Sequence, residues 1–423
     1  MGSASRKDMA REMEGGDTGE LSEDSGRIRV AVRVRPFSEK EKLAGDHGII
    51  TMTGNQTRII DPAYFDSQDG PHSPSDRSMW ERTFNFDHSF WSHSRRRTHD
   101  DAASATEYSG QADVHLKLGR FLLDNACKGY NCSLFAYGQT GSGKTHTMLG
   151  DSSDLTTAAG PGEAGLIPRI CIEMFQRLGL ASTDAGTSST SCRGGQASIQ
   201  VSFCEIYNEQ VRDLFAQGSG DGQGLRVREH PSKGAFVEGL SARPVTCYQQ
   251  VQQLLDAGMS ARSTAATAMN EMSSRSHAIF TIAITVTTIT KFGQPTGLEQ
   301  VNDGGDRDED VSVRKNKICL VDLAGSERAN STGAKGDRLR EASNINKSLS
   351  TLGDVIKALA KRGESGRGSA GNGNSGNESF IPYRNSMLTW LLKDSIGGNS
   401  KTVMLAAISP VAGAYQETMS TLR

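Results

Sequence analysis

Residues 138–145 read GQTGSGKT, a spacing that can wrap a backbone around phosphate. Gly138, Gly141 and Gly143 allow the chain to curl until successive N–H groups point at phosphate oxygens, with Gln139, Thr140 and Ser142 between them. Lys144 brings a cation to the β- and γ-phosphates, and the Thr145 hydroxyl can hold Mg2+. The preceding NCSLFAY, residues 131–137, reads as a short buried strand, and a helix is predicted to start near Lys144. That helix would aim the positive end of its dipole at the same anion.

Two further segments supply what such a loop lacks. Asp322 closes KICLVD, an acid at a strand end where a phosphate-loop enzyme needs one near Mg2+. It opens DLAGSE, in which Gly325 could present its N–H to a γ-phosphate and so sense hydrolysis. Residues 270–277, NEMSSRSH, cluster hydroxyls, a guanidinium and an imidazole just before a strand. The small hydroxyls suit Mg2+ and water, and Arg275 suits a carboxylate such as Glu327. Taken singly, Asp322 reads as a turn acid and NEMSSRSH as a polar loop with a helix cap. Beside GQTGSGKT, both read as parts of one nucleotide site.

The elements that must position these groups follow from periodicity. IRVAVRVR, from Ile28, alternates apolar and basic residues like a strand with one buried face, ended by Pro36. Helices are predicted over 111–127, 248–262, 343–359 and from Met387, the third on its stripe of Ile345, Leu349, Leu352, Val355, Ile356 and Leu359. Strands are predicted over 198–207, 278–290, 317–322 and 402–408. Long polar loops should occupy 63–82, 151–162, 182–196, 293–310 and 363–379; the last is 13 of 17 Gly, Ser or Asn. Residues 1–26, with seven acids and three bases, read as a disordered acidic tail. The remainder, 27–423, reads as one α/β domain.

Composition narrows the class. No apolar run approaches the ~18 residues of a membrane span, and the N-terminus lacks the apolar stretch of a signal peptide. Seven scattered cysteines without zinc-type spacing read as free thiols in a reducing compartment. The net charge of −2 conceals acid concentrated in 1–26 and 299–310, which leaves the rest at +7 and suited to an acidic partner surface.

The order GQTGSGKT, N-x-x-S-S-R-S-H and DLAGSE resembles the P-loop, switch I and switch II of the kinesins. VRVRPF, FAYGQTGSGKTHTM, EIYNEQVRDL, LRVREHP, NINKSLSTLG and IPYRNSMLTWLL extend the resemblance from Ile28 to Arg423. FWSH, STGAKGDRL and TWLLKDSIGGNSKT resemble kinesin subfamily three, the vesicle-transport group with an N-terminal motor. The resemblance implies an α/β P-loop NTPase of the kinesin-motor type, a central, mainly parallel mixed sheet with helices on both faces. It implies a cytoplasmic, microtubule-associated ATPase using ATP and Mg2+, with plus-end-directed movement and no nucleic-acid partner.

Residue by residue, it implies that Arg33, Arg35 and Pro36 lie against the adenine with His146 nearby. Thr145 and Ser274 would contact Mg2+ directly and Asp322 through water. Arg275 and Glu327 would form the ion pair that closes the site. Asn270, Ser273 and Gly325 would complete the γ-phosphate pocket. Lys335, Arg338 and Arg340 before the 343–359 helix, Lys347 and Lys357 on it, and Arg384 and Lys393 on the next would face tubulin. Two departures stand out: the loop before IPYR is poor in lysine, and Gln210 replaces a residue often basic in kinesins. The chain also stops at Arg423, before the neck linker would be expected. A non-motile microtubule binder and a GTPase-like switch are the competing readings. The first should have lost some of Lys144, Thr145, Arg275, Asp322 and Glu327; the second should carry a guanine-specifying N/T-K-x-D motif.

Overall fold

CSLFAY, residues 132–137, is apolar at nearly every position because both of its faces are covered. It is one strand of a nine-stranded sheet in this computed structural model. The structure describes residues 28–66, 79–94, 107–151, 162–180, 195–216, 224–231, 234–266, 274–290, 310–327, 337–365, 380–397 and 400–423. The expected acidic tail and the loop 363–379, apart from its first three residues, lie outside these, as do most of the other predicted loops.

The strands in chain order are β1 (Ile28–Val34), β2 (Ile50–Thr53), β3 (Gln56–Ile60), β4 (Glu81–Asn85), β5 (His88–Trp91), β6 (Cys132–Tyr137) and β7 (Gly195–Tyr207). There follow β8 (Gln210–Asp213), β9 (Val227–His230), β10 (Gly234–Val237), β11 (Arg243–Val245), β12 (His277–Thr290), β13 (Asp310–Asp322) and β14 (Lys401–Ile408). The main sheet runs β11-β7-β12-β13-β6-β14-β1-β5, with β8 on β7. From β13 to β5 the strands are parallel; β7, β12 and β13 are antiparallel. β9–β10 and β2–β3–β4 form two small separate sheets.

The helices used below are α1 (Arg120–Cys127), α2 (Lys144–Met148), α3 (Leu166–Arg177), α4 (Tyr248–Ala266), α5 (Asp337–Ser365), α6 (Met387–Leu391), α7 (Lys393–Ile396) and α8 (Tyr415–Leu422). Strand alternation sends neighbouring side chains to opposite faces. Leu134 and Ala136 of β6 join α1, α3 and α4 through Leu122, Ile170 and Val251, whereas Phe135 joins α5 and α6 through Leu352 and Leu388. A third cluster packs Met419 and Leu422 of α8 on Val32, Val34 and Ile408. Helices thus cover both faces, as the motifs implied.

Four details differ from the sequence expectations. β1 is buried on both faces along Ala31–Val34 because it lies inside the sheet between β14 and β5. Arg33 is therefore an interior residue and not part of a solvent-facing basic row. The predicted 111–127 helix contains a π-helical turn, His115–Gly119, between two α-helical pieces. Gly119 permits it, because a Cβ there would overlap the His115 ring. β13 begins at Asp310, since its polar first half pairs along the whole of β12. Finally, α5 extends beyond both ends of the predicted 343–359.

Candidate nucleotide site

β6 ends where the glycine loop begins, at the C-terminal edge of the parallel strands, where α/β sheets gather ligands. Gly138 has φ 144°, and a Cβ there would overlap the Ala407 carbonyl. Gly143, at φ 96°, caps α2. Both positions require glycine, and the curled loop is the consequence.

Lys144 is 7% exposed and donates to the carbonyls of Gly138 and Gln139 at 2.8 and 2.9 Å. Burial lowers its pKa, while Asp322 and Glu327 favour its charge. Thr145 Oγ1 donates to Asp322 Oδ2 at 2.6 Å. Burial pushes the Asp322 carboxyl upward, opposed by the Thr145 hydroxyl and then by Arg262 and Lys144. Its Oδ1 is buried without a hydrogen-bond partner.

That orphaned oxygen tests the fit for Mg2+. A hard cation takes hydroxyl, carboxylate, water and phosphate oxygens and rarely a full protein cage. Thr145 and Asp322 offer such a partial set, and no cluster of three or more His, Cys, Asp or Glu suited to a metal occurs among the described residues. The residues fit.

Of switch I, the described part is Ser274, Arg275, Ser276 and His277; Asn270 and Ser273 lie outside it. The Ser274 carbonyl accepts from Gly325 N at 2.8 Å. Gly325 has no room for a Cβ, which would overlap Glu327 and Thr140. The expected Arg275–Glu327 pair is not formed. Arg275 pairs with Glu341 of α5 at 3.2 Å. Glu327 instead accepts from Thr140 N at 2.9 Å and from the Thr140 hydroxyl. A carboxylate beside loop amides takes the role a phosphate oxygen would take.

Around the expected adenine position, Arg35 braces the loop from the side. Its Nε donates to Gly141 O at 2.6 Å and its fork holds Glu41. That bidentate bond holds the Glu41 carboxyl down, to about 2. Pro36 O accepts from the same guanidinium. Arg33 is placed differently from the expectation: it is 6% exposed and spends its donors on Ser92, Gln111 and Thr147. It props α2 from inside. His146 is exposed, yet desolvation by its surroundings, with Arg33 nearby, lowers its pKa, and its carbonyl accepts from Gln111.

One charged group was missed by the sequence reading. Arg262 of α4, 3% exposed, lies 3.3 Å from Glu205 of β7 and 3.9 Å from Asp322, and bonds Ser276. The available signal was Glu205, a carboxylate on the same strand face as Ile199, Val201 and Phe203, which demands a buried cation.

Of the proposed track residues, Lys347 and Lys357 are exposed on α5, opposite its buried stripe of Leu349, Leu352 and Val355. Arg384 and Lys393 are both bound to Glu229 of β9 at 2.7 Å. Lys335 lies outside the described residues, and the side chains of Arg338 and Arg340 are likewise not described.

The family profile described as the kinesin motor domain matches residues 33–423. The chain belongs to the kinesin motor-domain family. It is 44% identical over 397 residues to mouse kinesin-like protein KIF13A, covering 94% of this chain and 19% of that protein. Against human KIF1C it is 44% identical over 396 residues, covering 94% and 30%. Against unc-104 of Caenorhabditis elegans it is 43% identical over 396 residues, covering 94% and 21%. These are subfamily-three kinesins, as FWSH and STGAKGDRL implied. The chain thus spans under a third of the length of these relatives. A KIF14 dimer solved with AMP-PNP on a microtubule superposes with a TM-score of 0.71 at 39% identity, covering 94% of this chain and 92% of that one. A KIF14 motor with ADP on a microtubule gives 0.70 at 39% identity, covering 94% and 93%.

Proposed function

We propose that this kinesin domain is a microtubule-stimulated ATPase, the engine of a plus-end-directed motor in the longer protein. The observation that carries the reading is the Arg275–Glu341 pair, which links switch I to the helix bearing Lys347 and Lys357. A nucleotide site and a candidate track surface therefore share one side-chain contact.

The groups have distinct tasks. Thr145 and Ser274 would hold Mg2+ directly and Asp322 would hold it through water, and the ion would supply neutralisation of phosphate charge. Lys144 exchanges its two loop carbonyls for β- and γ-phosphate oxygens. Gly325 gives up the Ser274 carbonyl and offers its N–H to the γ-phosphate. Glu327 leaves Thr140, Arg275 leaves Glu341, and the two close over the site and orient the attacking water. Asn270 and Ser273 complete that pocket; Arg35, Pro36 and His146 border the base. No strong base is needed, because phosphoryl transfer depends on positioning and charge stabilisation. Lys335, Arg338, Arg340, Lys347, Lys357, Arg384 and Lys393 form the basic face toward tubulin. The neighbours solved on microtubules support that partner.

Co-sedimentation in different nucleotides tests this. Microtubule affinity should be higher with AMP-PNP than with ADP, and Glu327→Ala should flatten that difference. Equal affinity in both states for the unmodified chain would favour a non-motile microtubule binder.

A further inference from the structure

His277, the first residue of β12, is 2% exposed and uses both ring nitrogens. Nδ1 lies 3.0 Å from the backbone nitrogen of Ala324. An amide can only donate, so Nδ1 accepts and the ring proton sits on Nε2. Nε2 then donates to Ser348 Oγ at 2.7 Å, and the Ser348 hydroxyl donates to Ile345 O at 2.7 Å. The chain of bonds is fully satisfied, and its direction is fixed from the Ala324 amide through the ring to α5. Burial, with Arg262 and Lys144 nearby, holds the imidazole neutral, its pKa near 3.

The two ends of this chain are informative. Ala324 immediately precedes Gly325, whose N–H rests on the Ser274 carbonyl. Ser348 lies seven residues, or two helical turns, from Glu341, so both project from one face of α5. That face thus holds switch I through Arg275 and switch II through His277. The two contacts differ in kind. Arg275–Glu341 is a part-exposed ion pair between flexible side chains. His277–Ser348 is buried, short and built on a planar ring with only two torsions. Breaking a buried satisfied bond leaves a polar group stranded, so the ring should hold its two ends together through a conformational change.

We propose that His277 is a positioning residue that fixes the Ala324–Gly325 peptide to Ser348 of α5, so that movement of Gly325 toward a γ-phosphate and movement of α5 on its track are one event. The ring touches no phosphate donor and acts through Gly325. This proposal rests on the reading of the chain as a microtubule-stimulated ATPase.

The test uses the whole chain and compares turnover with and without microtubules. In His277→Asn, Oδ1 can still accept from Ala324, but the side chain does not reach Ser348. Ser348→Ala cuts the same bond from the helix side, and Ser348→Thr keeps the hydroxyl. The ratio of stimulated to basal kcat should fall about fivefold or more in both His277→Asn and Ser348→Ala, the scale of a typical coupling between sites. The double variant should be no worse than either single one, and Ser348→Thr should keep the ratio. An unchanged ratio, additive losses, or basal and stimulated rates falling together with Tm would overturn the proposal. Absence of any stimulation in the unmodified chain would instead overturn the motor reading on which it rests.

Discussion

At the scale of residues, the site is set by a few positions where the chain has no freedom. Gly325 is one, since a methyl group would overlap Glu327 and Thr140. Gly325→Ala should cut kcat by about a hundredfold, the usual cost of moving catalytic groups by an ångström. A turnover near the unmodified rate would show that Glu327 need not sit where it does. His277 makes a second prediction. Burial drives its pKa down to about 3, so the unfolded chain takes a proton that the folded one refuses. Stability should therefore fall as pH drops below the ordinary histidine value and level off near 3, at about 1.4 kcal/mol per unit in between. His88, His93, His115 and His146 are lowered in the same direction. The check is therefore a difference: denaturation midpoints at pH 7 and 5 should separate less in His277→Asn than in the unmodified chain.

The P-loop residues were legible because their signal is local: glycines, lysine and threonine at fixed spacing between a strand and a helix. Asp322 was legible for the same reason, once a P-loop was present. Arg262–Glu205 and Arg275–Glu341 were not, because their partners lie 57 and 66 residues apart in sequence. Arg33 misled for a related cause. A basic residue alternating in a strand looks solvent-facing until the strand is known to be interior.

At the scale of elements, α5 is the part that ties the switches to the outer surface. Its inner face carries Glu341, Ser348 and the apolar stripe; its outer face carries Lys347 and Lys357. The sequence stripe identified this helix, but not its length. Residues 337–342 are mostly charged in sequence, and Glu341 holds this start of the helix to Arg275 and Tyr207. Glu341→Gln removes the charge that keeps Arg275 from Glu327. A part-exposed pair is worth up to about 1 kcal/mol, so basal ATPase should rise about two- to fivefold without microtubules. A basal rate that stays level or falls would mean that Glu341 does not compete with Glu327.

At the scale of the whole molecule, net charge conceals the useful field. The chain totals −2, yet two acidic segments account for more than that, and the rest is basic. The sequence assigned Arg384 and Lys393 to the track surface, but the structure binds both to Glu229. Such exposed pairs are screened and readily exchanged. Glu229→Gln should therefore tighten microtubule binding and steepen its loss with added salt, with little change in Tm. Binding that is unchanged or weaker in low salt would remove Arg384 and Lys393 from the contact face.

The central claim is that hydrolysis at the P-loop is governed by a surface on the other side of α5. Its most direct measurement is steady-state ATPase of these 423 residues titrated with microtubules at low salt, beside Lys144→Ala. Turnover should rise steeply with microtubules, saturate, and be absent in Lys144→Ala. Turnover indifferent to microtubules, or persisting without Lys144, would contradict it.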